Sequence, residues 1–225
     1  MPNKIQSKTI VPVFPLPNVV FFPKTLLPLH IFEPRYRKMT ADALAGANQI
    51  VITLLKDGWE QDYFGSPDVH EIACVGEIQY SEKLDDGKFN LLLYGTSRVK
   101  IVDFVQEHPY RTATVQPLKD AHFDHDSFNE KAESERFLEI LDHYLSAMGV
   151  TDAGTLLNLN SHSFEAVVNQ AASALDLTTR EKQELLELGA VELRYEKLKT
   201  ILSARLVALN IAKKVRFVPK DPTWN

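Results

Sequence analysis

Two stretches bring together side chains that could hold a metal. The first is His70-Glu71-Ile72-Ala73-Cys74, an imidazole and a thiol four residues apart. A tetrahedral zinc site needs two ligands on one face and more from elsewhere. Residues four apart do share a face of a strand, so the spacing permits a pair. However, Cys74 falls on the apolar face and no third ligand is evident. The segment therefore reads as a core cysteine beside a surface His-Glu pair. The second stretch, His122 to Asp126 (HFDHD), clusters two imidazoles and two carboxylates, and reads as a polar loop leading into a helix. No metal site is expected in either. Serine, histidine and aspartate are otherwise scattered, without a nucleophile elbow or triad spacing. The only Gly-Lys pair, Gly87-Lys88, has no phosphate-loop pattern around it, so nothing would cradle nucleotide phosphates. The expectation is no catalytic residue and no cofactor.

Aromatic side chains offer a different chemistry, that of contact surfaces. Trp59, Tyr63 and Phe64 lie in the turn-rich stretch DGWEQDYFGSPD, Asp57 to Asp68. They either fold back as a lid or form an aromatic surface of the kind that dominates binding hot spots. Phe21 and Phe22 are neighbours, and one of two neighbours on a strand faces outward. Arg35 and Arg37 flank Tyr36 and could border such a patch. The candidate binding residues are therefore Trp59, Tyr63, Phe64, Phe21, Phe22 and Arg35.

The elements that position these residues divide the chain in two. From Pro12 to Pro34 there are six of the twelve prolines, set in a mostly apolar segment. Proline has no N–H to give a ladder, so the strands it borders should be short, edge-placed or sharply turned. Short β-branched runs follow: TIVPVFPL, QIVITLLK, and EIACVGEIQYSEKL with the two-residue period of a half-buried strand. After these come FNLLLYG, SRVKIVDFVQ and YRTATVQPL. Asp85 to Lys88 reads as a hairpin turn, with Asp-Gly suited to positive φ. One helix, EPRYRKMTADALA, interrupts the strands, with proline in its first turn. Beyond Pro117 the period changes to helical. Leu138, Leu141 and Leu145 mark one helix, and Ser161 or Ser163 caps a second. Thr178 or Thr179 caps a third, and Val191 to Lys214 forms a long last one. The boundaries drawn are 1–118 for a β-rich part and 119–225 for a helical part.

The composition, 44% hydrophobic and 24% charged, is that of a globular protein. A net charge of −5 offers no basic field for nucleic acid or an anionic membrane. Between Lys119 and Met148 eight acids face three bases, an excess equal to the whole imbalance, and this reads as a solvated helix face. The single Cys74 fits a reducing, cytoplasmic setting. Prolines break the one long apolar stretch, so neither a signal peptide nor a membrane span is expected.

Two longer patterns carry a family resemblance. Pro12, Pro15, Leu16, Val19, Phe22, Pro23, Pro28, Leu29, Pro34 and Arg35 form the first. Gly76, Ile78, Leu84, Asp86, Gly87, Leu91 to Leu93, Gly95, Arg98 and Ile101 form the second. Together they resemble the N-terminal, substrate-binding domain of the Lon protease family, and the Lon-like domain of cereblon, over roughly residues 9 to 212. The resemblance implies an α+β fold: an N-terminal PUA-like β pseudo-barrel with one intervening helix, then a C-terminal α-helical bundle. It also implies a non-catalytic module that binds unfolded or extended polypeptide, without the ATPase and peptidase of Lon. An adaptor for a folded partner such as an ATP-dependent protease is the alternative expectation. RNA binding through the PUA-like barrel is a second alternative, and the acidic balance opposes it.

Overall fold

A computed structural model describes residues 9–62, 65–121, 128–150 and 163–215. In chain order the elements are β1 (Thr9–Leu16), β2 (Leu26–Ile31), α1 (Pro34–Ala45), β3 (Gln49–Leu54), and a 3-10 turn (Trp59–Asp62). Then come β4 (Ile72–Lys83), β5 (Phe89–Gln106), β6 (Arg111–Pro117), α2 (Glu130–Ala147), α3 (Phe164–Ala174), α4 (Thr179–Glu187) and α5 (Val191–Val215). The fold is α+β, with a strand-rich N-terminal part and a helical C-terminal part.

Five strands close on themselves. β1 runs parallel to β3, and β3–β4, β4–β5, β5–β6 and β6–β1 are antiparallel. Each strand of the ring sends alternate residues into one apolar cluster: Val11 and Val13, Val51, Ala73 and Val75, Val99 and Ile101, Ala113 and Val115. That alternation is the mark of a barrel interior filled by side chains. A second cluster lies on the other face of β3, β4 and β5. There α1 lays Tyr36, Met39 and Ala43 over Ile50, Ile52, Cys74, Leu91 and Leu93. For this reason β4 is not the half-buried strand its period suggested: Ala73 to Gly76 are buried on both faces, and exposure begins only later in the strand. Cys74 is a core cysteine, and burial raises its thiol pKa far above the ordinary value.

The prolines obey the ladder rule in an unexpected way. β1 is not an edge strand, yet it changes partner at Val13. Thr9–Val13 pair with β6, and Val13–Leu16 pair with β3. Pro12 and Pro15 therefore each sit where the strand has one neighbour, so neither removes a needed donor. Pro28 lies in β2, which pairs only with β5 among the described residues.

FNLLLYG and SRVKIVDFVQ are one 18-residue strand rather than two. Gly95 marks the join because the Phe22–Pro23 backbone crosses there. A Cβ at Gly95 would lie 2.1 Å from the Phe22 carbonyl oxygen. The crossing is pinned by Lys24 N–H to Gly95 O (2.8 Å) and Gly95 N–H to Thr25 O (2.9 Å). The hairpin between β4 and β5 turns at Asp85-Asp86-Gly87, with Gly87 at φ 80° and Asp86 Oδ1 accepting from Lys88 N–H.

The helices share a third cluster. Phe137, Leu141, Val168, Leu185, Leu186, Tyr195, Leu198 and Leu202 meet Val20, Phe22 and Leu54 from the strand-rich part. Three of the helix starts carry a side-chain cap. Asn129 caps α2, Ser163 caps α3, and Thr178 forms a reciprocal capping box with Glu181 on α4. Polar bonds reinforce the junction. Arg98 on β5 donates from Nε to Asp120 Oδ1 (3.0 Å) and from Nη1 to Leu186 O (3.0 Å). Arg194 on α5 pairs with the other oxygen of Asp120 and donates to Leu188 O. Arg98 is 4% exposed and Arg194 is not exposed at all. Two buried guanidiniums thus share one carboxylate, an arrangement that fails badly if the carboxylate is lost.

Candidate functional site

Phe21 is 2% exposed and Phe22 is 0% exposed. The expectation that one of the pair faces outward is corrected. Residues 18–25 are not a strand; they pass between two cores, so opposite directions both lead inward. Phe21 packs into the cluster beneath α1, and Phe22 into the helical cluster.

Trp59 opens the 3-10 turn, half-buried, and packs against the barrel-interior cluster. Tyr63 and Phe64 lie outside the described residues, as does the His122–Asp126 stretch. His70 and Glu71 do not converge with Cys74. His70 Nδ1 lies 3.1 Å from Glu187 Oε1, and Glu71 pairs with Lys100. Among the described residues no group of three or more metal-ligating side chains forms a metal site. No helix there is long and apolar enough to cross a membrane.

Arg35 borders a groove at one end of the barrel. The groove encloses about 270 Å³ and is lined by the end of β1 (Phe14, Pro15, Leu16, Pro17) and the end of β2 with the turn after it (Leu29, His30, Phe32). Glu33, Arg35 and Tyr36, then Leu55, Gly65 and Pro67, and Glu107 to Arg111 before and at β6, complete the wall. Three features shape it. Arg35 Nε donates to Glu33 Oε2 (3.0 Å), and its guanidinium lies 4.6 Å from the Tyr36 ring centroid, so the arginine is held against the wall. The Tyr110 hydroxyl donates to Asp42 Oδ2 at 2.7 Å. Burial, followed by that bond, pushes the Tyr110 phenol up to about 12, while the same bond holds the Asp42 carboxyl below its ordinary value. Phe32 is 58% exposed and stacks toward His30, with ring centroids 6.4 Å apart.

Prolines and aromatics line much of the groove, interspersed with the polar side chains of His30, Glu33, Arg35, Glu107, His108 and Arg111. Such a surface holds apolar side chains without having to order itself first. Beside it, β2 has no second strand partner among the described residues. Of the four expected residues that the structure describes, Trp59, Phe21, Phe22 and Arg35, the groove brings in only Arg35. Phe14, Leu29, Phe32 and Tyr110 were missed. The signal that could have found Phe32 is local: it sits between β2 and Glu33-Pro34, where proline forces extended backbone and neither core can claim the ring.

The profile of the family described as "ATP-dependent protease La (LON) substrate-binding domain" matches residues 10–204. A Lon protease of Desulfosudis oleivorans is 27% identical over 94% of this chain and 26% of its own length. The Lon protease 2 of Herpetosiphon aurantiacus is 29% identical over 89% of the chain and 24% of its own length. The chain spans about a quarter of the relatives it matches. Two solved structures share the fold. A Lon N-terminal domain protein from Xanthomonas campestris has TM-score 0.59 and 20% identity, covering 84% of this chain and 96% of that one. The N-terminal domain of a Mycobacterium avium complex Lon protease has TM-score 0.64 and 17% identity, covering 87% and 98%.

Proposed function

This chain belongs to the ATP-dependent protease La (LON) substrate-binding domain family, and from that premise we propose that it is a non-catalytic module that holds extended or unfolded polypeptide. The family match covers a substrate-recognition domain and no ATPase or peptidase, and the site chemistry agrees with that division of labour. The observation that carries the reading is the barrel-end groove. Its wall is rich in proline and aromatic side chains, with Phe32 left 58% exposed, beside a strand that has one strand partner among the described residues. An exposed aromatic costs hydrophobic stabilisation, and a docking role accounts for keeping it. Client side chains would lodge between Leu29, Phe32 and Tyr110. The client backbone could extend the sheet along β2, except at Pro28, which has no N–H to offer.

The test is binding of a fluorescently labelled, cysteine-alkylated unfolded protein, followed by polarisation. Phe32→Ala should weaken it by about 1–2 kcal/mol, a hot-spot loss, while stability changes by less than about 1 kcal/mol because the ring is exposed. Unchanged affinity in a folded Phe32→Ala protein would overturn the assignment of the groove.

A further inference from the structure

A second cavity, of about 470 Å³, lies where the barrel meets α4. It is lined by Pro17, Leu54, Leu55, Asp57, Trp59 and His70 from the strand-rich part and by residues of α4. We infer that this cavity is a subsite for an arginine side chain of the bound polypeptide. The inference rests on the polypeptide-binding reading above and adds a substrate preference to it.

Three observations favour a cationic, donor-rich occupant. The first is charge. Asp57, Glu184 and Glu187 line the cavity against the single base Arg180. Arg180 and Lys197 already engage Glu184, at 3.1 and 2.5 Å. Asp57 makes no ion pair among the described residues, and the imidazole of His70 is the one basic group that meets Glu187 there. The second is an unmet acceptor. Gln183 lines the cavity and is 2% exposed. Its Nε2 donates to Ile72 O (3.0 Å) and to Glu187 Oε1 (2.9 Å), which sets its amide end beside the Glu187 carboxylate. Its Oε1 has no partner among the described residues. The third is the Trp59 wall, an aromatic surface of the kind on which guanidinium groups pack. Two carboxylates, one idle amide oxygen and an indole together ask for hydrogen-bond donors on a flat cation. Arginine supplies five donors in a planar fork, whereas lysine offers a point charge. Pro17 belongs to both cavities, so one extended segment can place an apolar residue in the groove and an arginine here.

Two measurements separate this inference from the reading beneath it. In the first, the indole N–H signal of Trp59 is followed by NMR during titration with N-acetyl-arginine amide. Trp59→Phe assigns the signal against Trp224. The signal should shift with the arginine probe and not with its uncharged citrulline counterpart. In the second, one labelled unfolded apolar peptide is made with either arginine or citrulline at a single position. Wild type should favour the arginine form by about fivefold at low salt, the scale of a partly screened charge contact, and less so at high salt. The double variant Asp57→Asn/Glu187→Gln, with unchanged circular dichroism, should lose that preference while still binding the citrulline peptide. An equal shift of Trp59 with both probes, or a preference that survives in the double variant, overturns the subsite. Peptides that bind equally well, with Phe32 still required, overturn the subsite and leave the groove standing. Failure of both peptides to bind at all overturns the groove reading and the subsite with it.

Discussion

The two sides of the barrel use the same residue types to opposite ends. Where the helices cover it, Val20, Phe22, Leu54 and Arg98 are sealed: the apolar side chains enter a shared core, and the arginine is bound to Asp120 and Leu186. At the groove, Leu29, Phe32 and Arg35 border a cavity, with Phe32 exposed and Arg35 lying against Tyr36. The difference lies in what packs on top. An aromatic is sealed where a second layer arrives, as at Phe22, and stays exposed where no described residue covers it, as at Phe32, so residue type alone cannot assign the role.

The sharpest test of the contrast is at the sealed side. Asp120→Ala leaves Arg98 and Arg194 buried without their shared carboxylate and should cost about 3–5 kcal/mol in denaturant unfolding. Phe22→Ala should cost a similar ~3–5 kcal/mol by opening a cavity between the two parts. We propose further that residues 1–118 and 119–225 unfold together, so both variants should lower one calorimetric transition. Two separate transitions, with only the helical one shifted, would break the account of the junction. A smaller effect sharpens the contrast within the helices. Thr178→Ala removes the α4 capping box beside the second cavity and should cost about 1 kcal/mol without altering polypeptide binding at the groove.

Much of the fold was legible because its signals are local. The Asp-Gly hairpin, a cap at Thr178 or Thr179, and the alternation of β6 each sit within a few residues. The partner switch of β1 was not legible, since Pro12 and Pro15 constrain the ladder without saying which neighbour is missing. Arg98, Asp120 and Arg194 are far apart in sequence, and no periodicity links them. For the site, Arg35 was found as a motif residue. Phe21 and Phe22 were misread because alternation assumes one buried and one open side, and here both sides are cores. Phe32 and Tyr110 were invisible because the groove is assembled from segments far apart in sequence.

The smallest expected effect concerns pH. The Tyr195 hydroxyl donates to Glu133 at 2.6 Å, and chiefly for that reason the Glu133 carboxyl titrates below its ordinary value near 4.5. A carboxyl depressed in the folded state adds stability that is fully present above its unfolded value and is lost as pH falls through the folded one. Wild type should therefore lose more stability than Glu133→Gln on going from about pH 5 to about pH 3. The difference should stay under about 1 kcal/mol, since the pair is partly wetted. Equal acid sensitivity of the two proteins would show that the bond contributes nothing to the helical core.

Hydrogen exchange of the wild-type protein, with and without a saturating unfolded client, tests the central claim most directly. If the groove and β2 receive polypeptide, added protection should concentrate in Leu26–Ile31, the turn through Phe32 to Tyr36, and residues 107–111. The helical core around Phe137 and Leu198 should be unchanged. Protection confined to the helices, or none at β2 while the client is demonstrably bound, would contradict the claim.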